Sequence, residues 1–240
     1  MSIYADAVFA PIDRDLALER VAGGNETEVY RSDDGRFVAK LKHELGGSSA
    51  EALAEAKRMR AAADAFAACL GPRYSIPSYH LLARDSEGRV QILVVQPYLH
   101  GARPLCTLNY RAMPVAERQR LARELRAIIR RAEAMLLRTG SMPDLYGRTS
   151  GGRAERHVNR SLRRLPQRLW SFLVQRTILR SHNLLYTADA ERPVVLVDYD
   201  FVRQGLLYRA IYYLMRLGLF WRDRVVIRVV LEGGARRAVH

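Results

Sequence analysis

The chain is 240 residues long, and 49% of its residues are hydrophobic while 27% are charged. This length and balance are typical of one globular domain or of two lobes that share a cleft, and they exclude a disordered or fibrous chain. The 39 Lys and Arg residues outnumber the 25 Asp and Glu residues, so the net charge of +14 favours partners that carry phosphate or other negative groups.

Few features of the sequence indicate a location. The first six residues lack the basic start and the apolar run of a secretory signal, so we expect no export. Cys69 and Cys106 lie far apart, without a second Cys or a His at metal-site spacing, which fits a reduced cytoplasmic setting. Arg209, Arg216 and Arg222 interrupt the apolar stretch near the C-terminus; this argues against a transmembrane span and leaves peripheral contact with a membrane surface open.

The first third of the chain predicts a small sheet and one helix. Segments 28–31 and 36–41 flank a group of turn residues and predict a hairpin. Segment 50–70 follows two serines suited to an N-cap and is rich in Ala, Leu and Met, so it predicts a long helix. Segments 81–84 and 90–96 predict a second hairpin that ends at a proline.

The rest of the chain is more helical. Segment 114–139 carries an apolar stripe at helical spacing, and segment 148–180 is rich in Arg and has the composition of an insertion. Segments 183–186 and 194–197 predict a third hairpin, and 206–231 predicts one or two helices. The predicted fold class is therefore α+β.

Small residues occur between the first two predicted strands, where a phosphate-binding loop would lie. At Gly23, Gly24 and Asn25 the backbone amides can approach a phosphate without obstruction from a Cβ atom. The stretch lacks the full G-x-G-x-x-G pattern, so an ordinary structural turn is the alternative interpretation.

Lys40 lies within an apolar strand, where an inward ammonium group is costly unless it meets an anion. The phosphates of a nucleotide would supply that anion. The following helix carries Glu51 and Glu55 one turn apart, and we favour Glu55 as the partner of Lys40 because it lies deeper in the helix. A solvated helix face is the alternative for either glutamate.

In this order the segments resemble the protein-kinase-like superfamily, and most closely its small bacterial and aminoglycoside-phosphotransferase-type branches. Segment 94–105 resembles the strand and hinge between the two lobes and the G-x-P-L that follows. Segments 183–185 and 195–198 resemble the N-[LIV]-[LIV] element and the apolar strand that ends in Asp. The resemblance implies a two-lobed fold, with an N-lobe over residues 1–98 and a C-lobe over 99–240.

The resemblance also implies site residues. The backbone of Gln96 to Tyr98 would contact the adenine of ATP, and Asn183 and Asp198 would bind magnesium. Asp200 would assist the metal or hold its loop through backbone hydrogen bonds. The alternative for these acidic residues is a structural role at a hairpin end.

The sequence departs from the family where a catalytic Asp is expected. About five residues before Asn183 the chain has Ile178, and no carboxylate precedes Asn183 locally. The nearest substitute is Asp144, followed by the Arg-rich segment 148–180, as if that segment were inserted into the catalytic loop. We therefore expect Asp144 to be the base or the residue that orients the acceptor, with a turn residue after a helix as the alternative.

These residues favour an ATP- and magnesium-dependent phosphotransferase whose acceptor is an anionic small molecule, a lipid or a protein. An inactive ATP-binding pseudokinase or scaffold is the first alternative, and a basic nucleic-acid-binding protein is the second. The Arg-rich segment is either a docking surface for anionic substrates, nucleic acid or a membrane surface, or a solvated helical face. The C-terminal run 206–230 either lies on a membrane surface or packs on the body, and we assign no chemistry to His157 or His182.

Overall fold

The structure is a computed structural model, and it describes residues 18–23, 27–32, 34–42, 49–84, 90–147, 176–199 and 206–233. The described residues form two compact units. The first contains the described residues between 18 and 65 and between 76 and 99, and the second contains residues 66–75 together with the described residues from 100 onward. The predicted division of the chain at residues 98 and 99 stays a prediction. Gly24, Asn25, Asp200 and segment 148–175 lie outside the described residues.

The first unit contains a five-stranded antiparallel sheet in the order β1-β2-β3-β5-β4. Its strands are β1 Leu18–Gly23, β2 Thr27–Ser32, β3 Phe37–Lys42, β4 Tyr79–Arg84 and β5 Val90–Pro97. The first two predicted hairpins are present as the β2–β3 and β4–β5 pairs. β3 is the central strand, and Lys40 pairs with Val29 on one side and with Val94 on the other.

Helix α1, Ser49–Leu70, follows the first three strands. Its apolar residues recur every three or four positions and are buried, which gives the helix one core-facing stripe. The stripe consists of Ala52, Ala56, Met59, Ala63 and Phe66.

The second unit contains two long helices and a three-stranded antiparallel sheet. Helix α2 is Val115–Thr139, helix α3 is Leu206–Ile227, and a π-helical turn, Arg228–Glu232, follows α3. The sheet has the order β6-β7-β8, with β6 Arg103–Pro104, β7 Leu184–Tyr186 and β8 Val194–Leu196. The third predicted hairpin is present as β7–β8. The predicted α+β class is thus confirmed.

The apolar stripe from which α2 was predicted faces the core in the structure. The stripe is fully buried over several turns, at Leu121, Leu125, Ile128, Ile129 and Ala132. The helix ends where Gly140 adopts a left-handed conformation with φ +66 and donates its N–H to the Leu136 carbonyl at 2.8 Å. Among the helices that the structure describes, none combines the length and apolar character needed to span a bilayer.

Glu124 on α2 holds the segment that follows α1. Arg73 donates two hydrogen bonds to its carboxylate, at 3.1 and 2.7 Å, and the Tyr74 hydroxyl donates a third at 2.6 Å. The Tyr74 carbonyl in turn accepts from the Leu196 N–H at 2.8 Å. Since Leu196 ends β8, this contact fixes the strand from which Asp198 follows. The hydrogen bonds from Arg73 lower the pKa of Glu124.

We predict that Glu124→Gln lowers the free energy of unfolding by about 1–3 kcal/mol at pH 7, because charge-assisted hydrogen bonds are lost. The folded pKa of Glu124 lies below its unfolded value, so this stabilisation is present above the unfolded pKa and is lost as the pH falls through the folded pKa. Urea unfolding of both proteins at pH 7 and at about pH 3 measures the difference in their free energies of unfolding. We expect this difference to be smaller at the lower pH.

Asp64→Asn is the matched control, because Asp64 pairs with Arg60 through a side chain that is 70% exposed. It changes stability by about 0.5 kcal/mol or less. Equal losses for the two variants would contradict a special role of Glu124.

Candidate active site

Two loops of the second unit lie side by side although they are far apart in the sequence. Ser181 Oγ donates to the Leu145 carbonyl at 2.6 Å, and the His182 N–H donates to the Tyr146 carbonyl at 3.1 Å. Asn183 Nδ2 donates to the carbonyl of Asp144, 39 positions earlier, at 2.9 Å. The structure therefore brings together residues 144–146 and 181–183, the two segments that the sequence predicts to be parts of one catalytic loop.

Ser181 fixes the backbone that carries Asn183. Its side chain is fully buried, and its Oγ accepts from the N–H of Asn183 at 3.1 Å and of Leu184 at 3.0 Å. The same hydroxyl donates to the Leu145 carbonyl. One serine thus satisfies backbone groups on both loops and holds the start of β7 against the Asp144 loop.

The Asn183 side chain is buried and has a defined orientation. Because Nδ2 donates to the Asp144 carbonyl, Oδ1 lies at the other end of the amide. Oδ1 accepts no hydrogen bond from the part of the chain that the structure describes. Gly147 lies beside it: this glycine has φ +75, and a Cβ atom there would be 2.6 Å from Asn183 Oδ1. Gly147 therefore keeps the space around the amide oxygen open.

Asp198 lies at the same end of the β7–β8 hairpin as Asn183. The Val197 N–H donates to the Asn183 carbonyl at 2.9 Å, and Asp198 is the next residue, with a half-buried side chain. Amide and carboxylate oxygens are ligands that Mg²⁺ prefers, and Mg²⁺ usually completes its shell with water and phosphate oxygens. Asn183 and Asp198 therefore offer the types of donor atom that a magnesium ion takes. Within the described residues, no group of three or more His, Cys, Asp or Glu side chains is arranged to hold a metal.

The Asp144 carboxylate is held through one oxygen. Oδ1 accepts from the Tyr146 N–H at 3.0 Å and lies 2.8 Å from Nη2 of Arg216. Oδ2 accepts no hydrogen bond from the described residues. An anchored carboxylate with one open oxygen can accept a hydrogen bond from a hydroxyl group of a substrate.

Arg216 comes from α3, and its side chain is 2% exposed. Its guanidinium carbon lies 4.5 Å from the ring centre of Tyr146 and 4.8 Å from that of Tyr212, and Nη2 is 2.5 Å from the Tyr212 hydroxyl. Two aromatic faces and one carboxylate therefore set the position of this buried cation. The electrostatic attraction of Asp144 in turn favours the charged guanidinium.

Asp223 lies two turns further along α3 and is also buried. It accepts from the Tyr146 hydroxyl at 2.7 Å, from the Ile178 N–H at 2.9 Å and from Arg222 Nη2 at 3.0 Å. Burial raises the pKa of Asp223, and these three hydrogen bonds oppose the increase. Burial and the Asp223 carboxylate raise the pKa of Tyr146 well above 10, so this phenol remains a donor. Helix α3 thus holds both loops.

Three of the predicted site residues lie in described parts of the first unit, on β1, β3 and α1. Lys40 is half-buried on central strand β3. Glu55 is buried on α1 and accepts from Arg58 at 2.9 and 2.6 Å. The pairing of Lys40 with Glu55 stays a prediction. Gly23 is the last residue of β1, opposite Glu28 on β2.

The predicted hinge segment follows β5. Gln96 is buried, and its Nε2 donates to Ser78 Oγ at 2.7 Å. The Tyr98 N–H donates to the Arg36 carbonyl at 2.7 Å. Because this N–H is engaged within the first unit, it is not an open donor for an adenine ring, and the expected adenine contact would have to use other backbone groups.

Two solved structures are similar to this chain. One is the GDP and kanamycin complex of APH(2")-IIia, with a TM-score of 0.47, 14% identity, and coverage of 93% of this chain and 81% of that chain. The other is the GDP complex of wild-type aminoglycoside 2'-phosphotransferase-IIIa, with a TM-score of 0.45 and the same identity and coverage. No family model matches this chain, and no curated protein matches it.

Three residues that organise the site were not predicted from the sequence: Ser181, Arg216 and Asp223. The sequence offered a signal for the last two, because a charged residue within an apolar helical run is costly unless it is paired. In the sequence, Arg216 was interpreted only as an argument against a transmembrane span. Ser181 gave no comparable signal, since a serine before a strand is ordinary.

We predict that Gly147→Ala destabilises the protein more than Gly140→Ala. Both glycines have left-handed backbones, at φ +75 and +66, which alone costs an alanine about 1–2 kcal/mol. Only at Gly147 would the new Cβ atom collide with Asn183, which adds about 1–3 kcal/mol. Equilibrium urea unfolding of the two variants measures the difference, and Gly140→Ala is the control because nothing lies within 4 Å of its Cβ position. If both variants lose the same free energy of unfolding, then the predicted collision with Asn183 Oδ1 has no cost.

Proposed function

We propose that this chain is a nucleotide- and magnesium-dependent phosphotransferase that uses ATP as its phosphoryl donor. The observation that supports the proposal best is the hydrogen bond from Asn183 to the Asp144 carbonyl, beside the strand from which Asp198 follows. Phosphoryl transfer requires a metal ligand set and a carboxylate near the acceptor, and these residues provide candidates for both.

Asn183 Oδ1 and the Asp198 carboxylate would hold the magnesium ion, with Asp200 as a further candidate. When bound, Mg²⁺ neutralises negative charge on the phosphate oxygens. The role of Asn183 is supported by its fixed amide, because a side chain that is already oriented loses little entropy on binding a ligand.

Asp144 would orient the acceptor hydroxyl through Oδ2 and accept its proton. The support for this role is the anchoring of Oδ1 by Arg216 and the Tyr146 N–H, which leaves the second oxygen with a fixed direction. Catalysis of phosphoryl transfer depends mainly on such positioning.

Lys40 would contact the nucleotide phosphates, with Glu55 as its partner. Gly23, Gly24 and Asn25 would cover the phosphates, and the backbone around Gln96 and Tyr98 would meet the adenine. The acceptor would be an anionic small molecule, a lipid or a protein, which suits a chain with a net charge of +14.

Mg-ATP should raise the unfolding temperature by about 5–10 °C at a concentration 100-fold above its Kd. Asp198→Asn and Asp144→Asn should each reduce transfer of the γ-phosphoryl group to water by roughly 100-fold or more. Differential scanning fluorimetry and a coupled ADP-release assay measure the two effects, and Mg-GTP is tested in parallel because the similar solved structures contain GDP.

The outcomes separate the candidate functions. Stabilisation by Mg-ATP without turnover would favour the pseudokinase. No stabilisation by either nucleotide, together with salt-sensitive binding of RNA or DNA, would favour the nucleic-acid-binding protein. If Asp198→Asn abolishes turnover and Asp144→Asn leaves it unchanged, then Asp144 is not the base.

Arg216 is expected to act as a positioning residue for Asp144. Arg216→Met should lower kcat by roughly 10–100-fold and leave the KM for ATP nearly unchanged, because the carboxylate loses its anchor while the nucleotide contacts remain. Arg216→Lys should recover part of kcat, since an ammonium group keeps the charge but not the planar guanidinium.

Arg224→Met is the matched control for this experiment. Arg224 lies on the same helix and pairs with Glu133 on α2, away from Asp144. It should leave kcat within about twofold of the natural protein, and steady-state kinetics at a temperature where all variants are folded provides the comparison. A similar loss of kcat in both variants would indicate a general effect on α3.

A further inference from the structure

Helix α3 has an apolar face that remains exposed. Along α3 and the turn that follows, exposed apolar side chains recur at intervals of three, four or seven positions. We call them the α3 stripe: Leu207, Ile211, Leu214, Trp221, Val225 and Val229. Leu207 is 77% exposed, Leu214 is 70% exposed and Trp221 is 69% exposed. At 1.5 Å per residue the stripe is about 33 Å long.

The buried face of the same helix accounts for the fold without the stripe. Tyr213, Arg216, Phe220, Asp223 and Ile227 are buried. Among them, Arg216 contacts Asp144, and Asp223 holds Tyr146 and Ile178. A helix that packs on a core through one face normally presents charged or polar residues on the other. Large exposed aliphatic and aromatic side chains in a continuous line instead mark an interaction surface.

The charges beside the stripe indicate what the surface binds. Arg209, Arg222 and Arg224 of α3 are half-buried, and Arg222 pairs with Asp223 while Arg224 pairs with Glu133. Arg228 in the following turn is exposed. The one acidic residue of α3, Asp223, is fully buried, and Glu232 in the following turn pairs with Arg126 on α2. The whole chain carries a net charge of +14. A second copy of this chain would bring like charges together along the stripe, whereas an anionic lipid surface offers the opposite charge.

We propose that the α3 stripe docks on the surface of an anionic lipid bilayer. The helix lies in the plane of the membrane, its apolar side chains enter the boundary between headgroups and acyl chains, and the exposed Arg228 faces the lipid phosphates. Trp221 occupies the interfacial level that tryptophan favours. This inference does not depend on the proposed phosphotransferase activity.

Binding of the full chain to vesicles tests the proposal. Flotation compares vesicles of phosphatidylcholine alone with vesicles that also contain about 30% phosphatidylglycerol, at low and moderate salt. The chain has two tryptophans, so fluorescence is measured on a Trp170→Phe variant, in which Trp221 is the reporter. We expect binding to the anionic vesicles and a blue shift of the Trp221 emission.

Leu214→Asp and Leu137→Asp form the matched pair. Each replaces an exposed leucine, 70% exposed on α3 and 85% exposed on α2, so neither change disturbs the core. Leu214→Asp should weaken binding to anionic vesicles roughly tenfold or more, since one buried leucine side chain contributes about that much. Leu137→Asp should change it by less than about threefold.

Three results would overturn the proposal. The first is no binding to anionic vesicles at low salt. The second is binding that Leu214→Asp leaves unchanged, because the arginines elsewhere would then suffice. The third is a dimer in sedimentation velocity that Leu214→Asp dissociates, because a second copy of the chain would then cover the stripe.

Discussion

The hydrogen bond from the Asn183 side chain to the Asp144 carbonyl determines most of the candidate site. It joins residues separated by 39 positions, and it also fixes which end of the Asn183 amide remains open. An amide has a donor end and an acceptor end, so using Nδ2 on one loop leaves Oδ1 for another ligand. The conformation of Gly147, the hydroxyl of Ser181 and the pairing of Val197 all support this one contact.

Buried charged residues hold the two loops of the candidate site in place, although they are not the most stable choice for a protein core. Arg216 and Asp223 lie on the buried face of α3, and burial of charged groups costs free energy that their partners only partly restore. Apolar residues of the same volume often give equal or greater stability. What the charged residues add is direction: Arg216 fixes one oxygen of Asp144, and Asp223 fixes the Tyr146 hydroxyl and the Ile178 backbone. This is the distribution expected where orientation matters for function.

The parts of the fold that depend on local pattern were predictable from the sequence. The buried stripe of α2 and the three hairpins follow from apolar spacing and turn residues. Asn183 and Asp198 as a magnesium pair, inferred from the motif, and Asp144, inferred from the chain order because Ile178 holds the expected position, stay predictions. The ion pairs of Arg73 with Glu124 and of Arg216 with Asp144 were not predictable from the sequence. Each pair joins two elements that only tertiary packing brings close together. The Tyr98 N–H shows the same limit, since its partner, Arg36, is separated from it in the sequence by three strands and a helix.

Helix α3 combines two roles that its sequence periodicity keeps separate. Leu214 and Arg216 are only two positions apart, yet a rotation of about 200° places them on opposite sides of the helix. One side chain is exposed in the apolar stripe, and the other is buried against Asp144. A substitution at Leu214 therefore leaves the contacts of Asp144 intact, and a substitution at Arg216 leaves the stripe intact. Membrane docking through the α3 stripe and positioning of the Asp144 carboxylate by Arg216 can therefore vary independently. A single variant that loses both would indicate that α3 itself has moved or unfolded.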